Sequence, residues 1–134
     1  MTAVLIDANV LIDVFTEDER WFEWSSLALE EAAETSPLVI NPVVYAEASM
    51  RFSRIEEFEA ALPPSFVARE AIPFEAAFLA GKAFTTYRNR GGAKTTTLPD
   101  FFIGAHAAVA GYRLLTRDPK VYRAYFPKVA LIAP

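Results

Sequence analysis

The chain has no cysteine and a single histidine, His106. Disulfide staples and thiolate metal sites are therefore excluded, and any metal must sit on oxygen ligands or on that one imidazole, which favours hard cations. Long apolar runs are missing too, since no stretch approaches the roughly 18 residues of a membrane-spanning helix. Met1-Thr2-Ala3 puts no basic residue ahead of the first apolar run, so the N-terminus does not read as a secretory signal. A cytoplasmic protein with no membrane partner is expected. Acids are scarce in one part of the chain only. Residues 76–134 hold two, Asp100 and Asp118, among nine bases, whereas residues 1–75 hold 15 acids and four bases. The net charge of −4 by itself argues against a nucleic-acid partner. It conceals a polarised chain whose C-terminal part is basic except at two aspartates.

What is present is a 134-residue chain, 53% hydrophobic and rich in aromatic residues, which is far from a disordered composition and suits one domain with its own core. Short apolar runs rich in β-branched residues alternate with longer stretches of helical periodicity, the pattern of an α/β fold with a parallel sheet. Strands are predicted at Val4–Asp7, Leu38–Asn41, Val67–Ile72, Tyr112–Thr116 and Val129–Ile132. Helices are predicted at Val10–Phe15, Trp21–Ala33, Pro42–Phe52, Ile55–Leu62, Phe74–Arg90, Asp100–Ala110 and Pro119–Tyr125. Pro42, Pro99 and Pro119 stand where a first helical turn tolerates a missing N–H, and Gly111 stands where a helix ends. Right-handed crossovers of such units give an open sheet of about five strands with helices on both faces, and ligands then bind beyond the carboxyl ends of the strands. Asp7, Glu47 and Asp118 approach that edge, and Asp100 joins them if its helix starts there.

Each acid has two readings. Asp7 closes Val4-Leu5-Ile6, where a buried carboxylate costs several kcal/mol unless it is paired or binds a cation, yet Asp7 or Asn9 also suits a helix cap. Glu47 has Val43, Val44 and Met50 as helical neighbours and so lies on an apolar stripe; its plain alternative is an ion pair with Arg51 four residues on. Asp100 fits a capping box with Thr97 as the cap, and Asp118 ahead of Pro119 fits a cap as well, with Thr116 placed to orient it or a water. His106 lies six residues beyond Asp100, a rotation of about 600° or an effective 240°, so it points away from the acids and is expected to be structural. A carboxylate cluster of this kind suits Mg²⁺ or Mn²⁺ and metal-assisted hydrolysis without a covalent intermediate. Lys82, Arg88, Arg90 and Lys94 flank Gly91-Gly92, while Arg113, Arg117, Lys120 and Arg123 surround Asp118 in sequence; all are candidate phosphate contacts.

Four blocks carry a wider resemblance: Leu5-Ile6-Asp7-Ala8-Asn9-Val10-Leu11, Asn41-Pro42-Val43-Val44-Tyr45-Ala46-Glu47, Asp100-Phe101-Phe102-Ile103-Gly104-Ala105-His106-Ala107, and Leu114-Leu115-Thr116-Arg117-Asp118. In this order and spacing, over nearly the whole chain, they resemble the PIN domain and within it the VapC-type toxins of bacterial toxin–antitoxin pairs. The resemblance implies a PIN-like fold and an acidic metal cluster of Asp7, Glu47, Asp100 and Asp118, supported by Asn9 and Thr116. It further implies an RNA substrate, a cognate antitoxin that blocks the site, and a homodimer. Gly104 and His106 depart from the smoother small-residue helix usual there. Two other readings stay open: a phosphatase or phosphoacceptor domain in which a strand-end Asp is phosphorylated, although Asn9 stands where a second acid is wanted, and a non-catalytic RNA-binding module whose acids only cap helices.

Overall fold

The computed structural model describes residues 2–91 and 97–134. Lys94 and Gly92, singled out above, lie outside the described residues. The elements follow in the order β1 (Val4–Ile6), α1 (Ala8–Phe15), α2 (Phe22–Thr35), β2 (Leu38–Ile40), α3 (Pro42–Ser49), α4 (Ile55–Ala61), β3 (Ala68–Arg69), α5 (Phe74–Asn89), α6 (Leu98–Ala110), β4 (Arg113–Leu115), α7 (Lys120–Tyr125) and β5 (Leu131–Ile132). The strands form one sheet in the order β3-β2-β1-β4-β5, with every neighbouring pair parallel. In register, Leu5 lies between Val39 of β2 and Leu114 of β4.

Val4, Leu5 and Ile6 are wholly buried, which is what a central parallel strand covered on both faces requires. From β1 the chain walks one way to β2 and β3, then returns past its start to β4 and β5. Right-handed crossovers in these two directions place their helices on opposite faces of the sheet. They also create a switch point between β1 and β4, whose carboxyl ends diverge into α1 and the turn before α7.

The strands are shorter than the apolar runs suggested, and the difference is informative. Asp7, Asn41 and Thr116, read from sequence as final strand residues, each lie one position beyond the ladder. Asp7 N–H still bonds Leu115 O and Thr116 N–H still bonds Ile132 O, both at 2.9–3.0 Å, so these three polar side chains stand on the lip of the sheet. At the edge only Ala68–Arg69 of the expected Val67–Ile72 run is paired, and Glu70 N–H makes one last bond to Ile40 O before the chain leaves towards Pro73. Helix α3 stops at Ser49 rather than Phe52, and α6 begins at Leu98, two residues earlier than expected. Pro119 is the N-cap of α7 rather than its first helical residue.

Two glycines are required by geometry. Gly111 ends α6 in the left-handed conformation at φ +73°. At Gly104 an added Cβ would overlap the Phe126 ring, so this break in the small-residue helix is the seat of an aromatic core residue. No helix among the described residues is long and apolar enough to cross a membrane.

Candidate active site

The site grows from Asp7. The residue occupies the N-cap position of α1, but its side chain makes no capping bond. Instead three side-chain donors converge on Oδ2: the Thr116 hydroxyl at 2.8 Å, the Tyr122 hydroxyl at 2.9 Å and Asn9 Nδ2 at 3.4 Å. Thr116 bridges the switch point directly. Its single proton goes to Asp7, and its oxygen accepts from Asn9 Nδ2 at 3.3 Å and from Asp118 N–H at 3.1 Å, which saturates the hydroxyl. Thr116 therefore orients Asp7, and has no hydrogen left with which to orient a water. Asn9 does not cap α1 either: it lies inside the helix, and its Oδ1 accepts Arg117 N–H at 3.3 Å.

Glu47 reaches the same crevice from α3. Asn41 caps that helix, its Oδ1 accepting Val44 N–H at 2.9 Å, so the polar residue at the lip of β2 aims the helix that carries Glu47. Glu47 forms no ion pair with Arg51, because α3 ends at Ser49 and the four-residue spacing is no longer helical at residue 51. Asp100 comes from the first turn of α6. Thr97 is the N-cap, but its hydroxyl does not cap, so the expected box is not formed from that side; the Thr97 backbone favours the ionised form of Asp100. Asp118 is exposed and lies one residue before the N-cap of α7, so the capping role foreseen for it is not formed.

Electrostatics ties these acids together. Burial pushes Asp7 up to about 6, against the Thr116 and Tyr122 hydroxyls that favour its ionised form, and the charge of Asp100 raises it further. Glu47 is pushed up to about 7, first by burial and then by the charges of Asp7 and Asp100. Asp100 is raised by burial and by Asp118, despite the Thr97 backbone. The Tyr122 hydroxyl is raised as well, by burial and by the surrounding acids. No Lys or Arg among the described residues forms an ion pair with Asp7, Glu47, Asp100 or Asp118.

Two buried polar residues next to the site were not foreseen from the sequence. Tyr122, 2% exposed, supplies one of the three bonds on Asp7 from a helix whose sequence carries no polar motif. Asp13, 1% exposed, sits in the apolar helix Ala8–Phe15 and is held by Arg117 Nε at 2.7 Å and Ser25 Oγ at 2.8 Å. An acid in an otherwise apolar helix was the available signal. That pair also corrects the reading of Arg117, which is tied to Asp13 and packed over Trp21 rather than free for phosphate. Arg113 is likewise removed from the site: it opens β4 at the amino edge of the sheet and bonds Ser36 Oγ at 3.1 Å. Arg88 and Arg90 are exposed at the end of α5, where Arg90 lies 5.8 Å from the Tyr125 ring, itself packed on Phe101 beside Asp100. Lys120 and Arg123 are exposed on α7. His106 is wholly buried, with Asn41 on one ring nitrogen and Glu70 on the other, and takes the structural place expected of it.

The donor set fits a hard divalent cation in its chemistry: carboxylate oxygens only, crowded and uncompensated. Among the described residues no three acidic or histidine side chains are gathered tightly enough to cage an ion unaided. A cavity of about 520 Å³ opens at the opposite, amino edge of the sheet, around Ser36, Tyr112, Arg113 and Lys128, and no acid lines it.

Fold and site define the class: a doubly wound α/β protein with an uncompensated acidic crevice at the switch point of a parallel sheet. The chain belongs to the PIN domain family, whose model matches residues 4–127. The resemblance read from the four sequence blocks is thus borne out at the level of family and fold. Solved structures with the same fold include VapBC2 from Rickettsia felis bound to a DNA fragment from its promoter, at 18% identity and a TM-score of 0.75 over 98% of each chain. VapBC-1 from nontypeable Haemophilus influenzae is similar at 17% identity and a TM-score of 0.74, over 98% of this chain and 97% of that one. A toxin–antitoxin complex from Klebsiella pneumoniae is 25% identical over 95% of each chain, with a TM-score of 0.66. No curated protein matches the chain significantly.

Proposed function

We propose that the protein is a Mg²⁺- or Mn²⁺-dependent endoribonuclease that hydrolyses RNA phosphodiester bonds, and that it is the toxin of a type II toxin–antitoxin pair. The observation that carries the enzymatic part is the crevice itself. Asp7, Glu47 and Asp100 are drawn from water, Asp100 raises Asp7 and both raise Glu47, and none has a basic partner among the described residues, an arrangement that a divalent cation relieves. The assignment to a toxin is supported by PIN family membership and by similarity to structures described as VapBC and toxin–antitoxin complexes. A cognate antitoxin covering the crevice and a homodimer belong to the same proposal.

Asp7 and Asp100 would hold the cation, with Glu47 and Asp118 completing its surroundings directly or through water. When bound, the ion would supply charge to stabilise the developing phosphorane oxygens and a water acidic enough to attack. This chain's own residues do the rest. Thr116, Tyr122 and Asn9 hold Asp7 by Oδ2, fixing its rotamer. Arg88, Arg90, Lys120 and Arg123 offer exposed charge for the RNA backbone on α5 and α7. The test is cleavage of mixed RNA by the purified chain in Mg²⁺ or Mn²⁺. Cleavage abolished by EDTA supports the proposal. Phosphate release from small esters without RNA cleavage would replace it with the phosphatase, and RNA binding without turnover would replace it with the binding module.

A further inference from the structure

The cavity of about 520 Å³ at the amino edge of the sheet is within the ordinary range of small-ligand pockets. Four strands start there. Thr2 precedes β1, Ser36 precedes β2, Arg113 opens β4 and Lys128 lies in the turn before β5, and each of these residues lines the cavity. The C-terminal end of α2 at Thr35 and the last turn of α6 at Ala107 and Ala108 contribute to the walls.

The fold does not use up the cations of this cavity. Arg113 is one of the bases that stand near Asp118 in sequence and that the structure carries to the other edge. Its guanidinium donates from Nη2 to Ser36 Oγ at 3.1 Å and has no carboxylate partner among the described residues. A guanidinium has five N–H donors, so most of them stay free, and the Ser36 hydroxyl, having accepted from Arg113, keeps its own hydrogen to donate. Lys128 is exposed and likewise makes no ion pair among the described residues. The nearby helix ends do not cancel these charges. A helix C-terminus carries about half a negative charge, so α2 and α6 together offset roughly one of the two cations. Several carbonyls at this edge are also occupied, Ala107 O by the Gly111 and Tyr112 N–H groups and Ala32 O by Ser36 N–H. The cavity is left with a net positive charge and no acid in its wall.

We infer that this cavity binds an organic phosphate, a phosphate monoester on a compact apolar or aromatic body such as a nucleoside monophosphate. A monoester phosphate brings about two negative charges and three strongly accepting oxygens. Arg113 and Lys128 match the charge, and Thr2, Thr35 and Ser36 add hydroxyl donors. The planar fork of an arginine suits phosphate geometry in particular. A carboxylate, with a single charge, would leave one cation unanswered. A bare phosphate would leave most of the cavity empty, and the remaining wall, from Ala107, Ala108, Val129 and Ala130, is apolar and takes the body of the ligand. Cavity and acidic crevice lie at opposite edges of the sheet, so binding at one is separate from RNA cleavage at the other.

The experiment titrates the full chain, without added divalent metal, with adenosine 5′-monophosphate, adenosine and inorganic phosphate, followed by calorimetry and by NMR of the backbone amides. The monophosphate should bind at least about tenfold tighter than adenosine, the worth of one charge-assisted hydrogen bond, and tighter than inorganic phosphate. Its amide shifts should centre on Ser36, Arg113 and Val129. Arg113→Gln should weaken it by about tenfold or more, and Lys128→Gln by about three- to fivefold, as for an exposed ion pair. Ala108→Trp, at an exposed position of α6, fills the cavity while keeping both cations and should also weaken the monophosphate. Because Lys128 and Ala108 are exposed, these two variants decide the matter even if Arg113→Gln disturbs the start of β4. No binding of the monophosphate by the wild-type chain, inorganic phosphate binding as tightly, unchanged affinity in Lys128→Gln or Ala108→Trp, or shifts centred on Asp7 and Glu47 would each overturn the inference.

Discussion

Two aspartates at the start of this chain, Asp7 and Asp13, are almost equally buried, at 5% and 1% exposure, and lie at the opening and within the same short helix. Asp13 has a cation, Arg117 at 2.7 Å, and a hydroxyl, Ser25 at 2.8 Å. Asp7 has hydroxyls, an amide and other acids around it, but no cation among the described residues. The first is a completed structural contact. The second is a charge held in place and left uncompensated, which the fold retains at a cost to its own stability in the absence of metal. Burial alone does not mark a site; burial without a counter-charge does.

Exchanging each aspartate for asparagine should break the comparison most sharply. Asp7→Asn keeps the shape and loses the charge, so metal-dependent RNA cleavage should fall by more than about 100-fold, beyond the 10–100-fold typical of residues that only support ligands. Its folded state should be as stable as the wild type or more so without metal. Asp13→Asn should do the opposite, leaving the acids of the crevice in place while costing about 2 to 3 kcal/mol in urea unfolding. That figure is set below the range for fully buried pairs because Arg117 is 29% exposed. Loss of stability in Asp7→Asn together with unimpaired cleavage would reverse the two roles.

A pH titration sharpens the same contrast at a smaller scale. Asp7 is raised from 3.8 to about 6 and Glu47 from 4.5 to about 7, so the folded state holds these protons more tightly than the unfolded chain. Their contribution to stability is fully present below about pH 4 and is lost as pH climbs through about 6 to 7. Metal-free wild-type protein should accordingly lose several degrees of Tm relative to Asp7→Asn across that window. Millimolar Mn²⁺ should recover the loss in the wild type only. A difference in Tm that stays constant with pH would show that Asp7 is not raised.

Asp118 tests whether the crevice extends beyond the buried acids. Because Pro119 and not Asp118 caps α7, Asp118→Ser and Asp118→Ala should unfold within about 0.5 kcal/mol of each other, the spread of ordinary surface changes. Both should reduce cleavage. Rescue of stability by serine alone would restore the cap, and full activity in both would take Asp118 out of the site. The smallest effect concerns the rim, where Arg88→Ala combined with Arg90→Ala should flatten the log–log salt dependence of RNA binding by about 1.4. An unchanged slope would place the RNA path away from the end of α5.

Much of the crevice was legible because parallel strands advertise their ends. Apolar runs that close on Asp7, Asn41 and Thr116 locate the lip of the sheet to within one residue, and alternation with helices points to ligands at that edge. Asp100 was legible as an acid in a first helical turn, although the hydroxyl cap expected of Thr97 is not made. Arg113, Arg117 and Asp118 were harder. A linear count of bases cannot tell a free guanidinium from one tied to Asp13, 104 residues earlier, and a good cap sequence does not reveal that the helix starts one residue late.

The sequence by itself determined the alternation of strands and helices, the α/β class, the absence of soft or thiolate ligands, and the family to which the four blocks point, because these depend on residue type and local spacing. Only the tertiary structure decided which partner each polar group meets. It directs the single proton of Thr116 to Asp7, brings Tyr122 to the same oxygen across 115 residues, spends Arg117 on Asp13, and fixes Glu70 through His106 and Tyr112. A hydrogen bond or ion pair acts over about 3 Å, whereas the chain separates these partners by tens of residues, so local pattern carries no record of it.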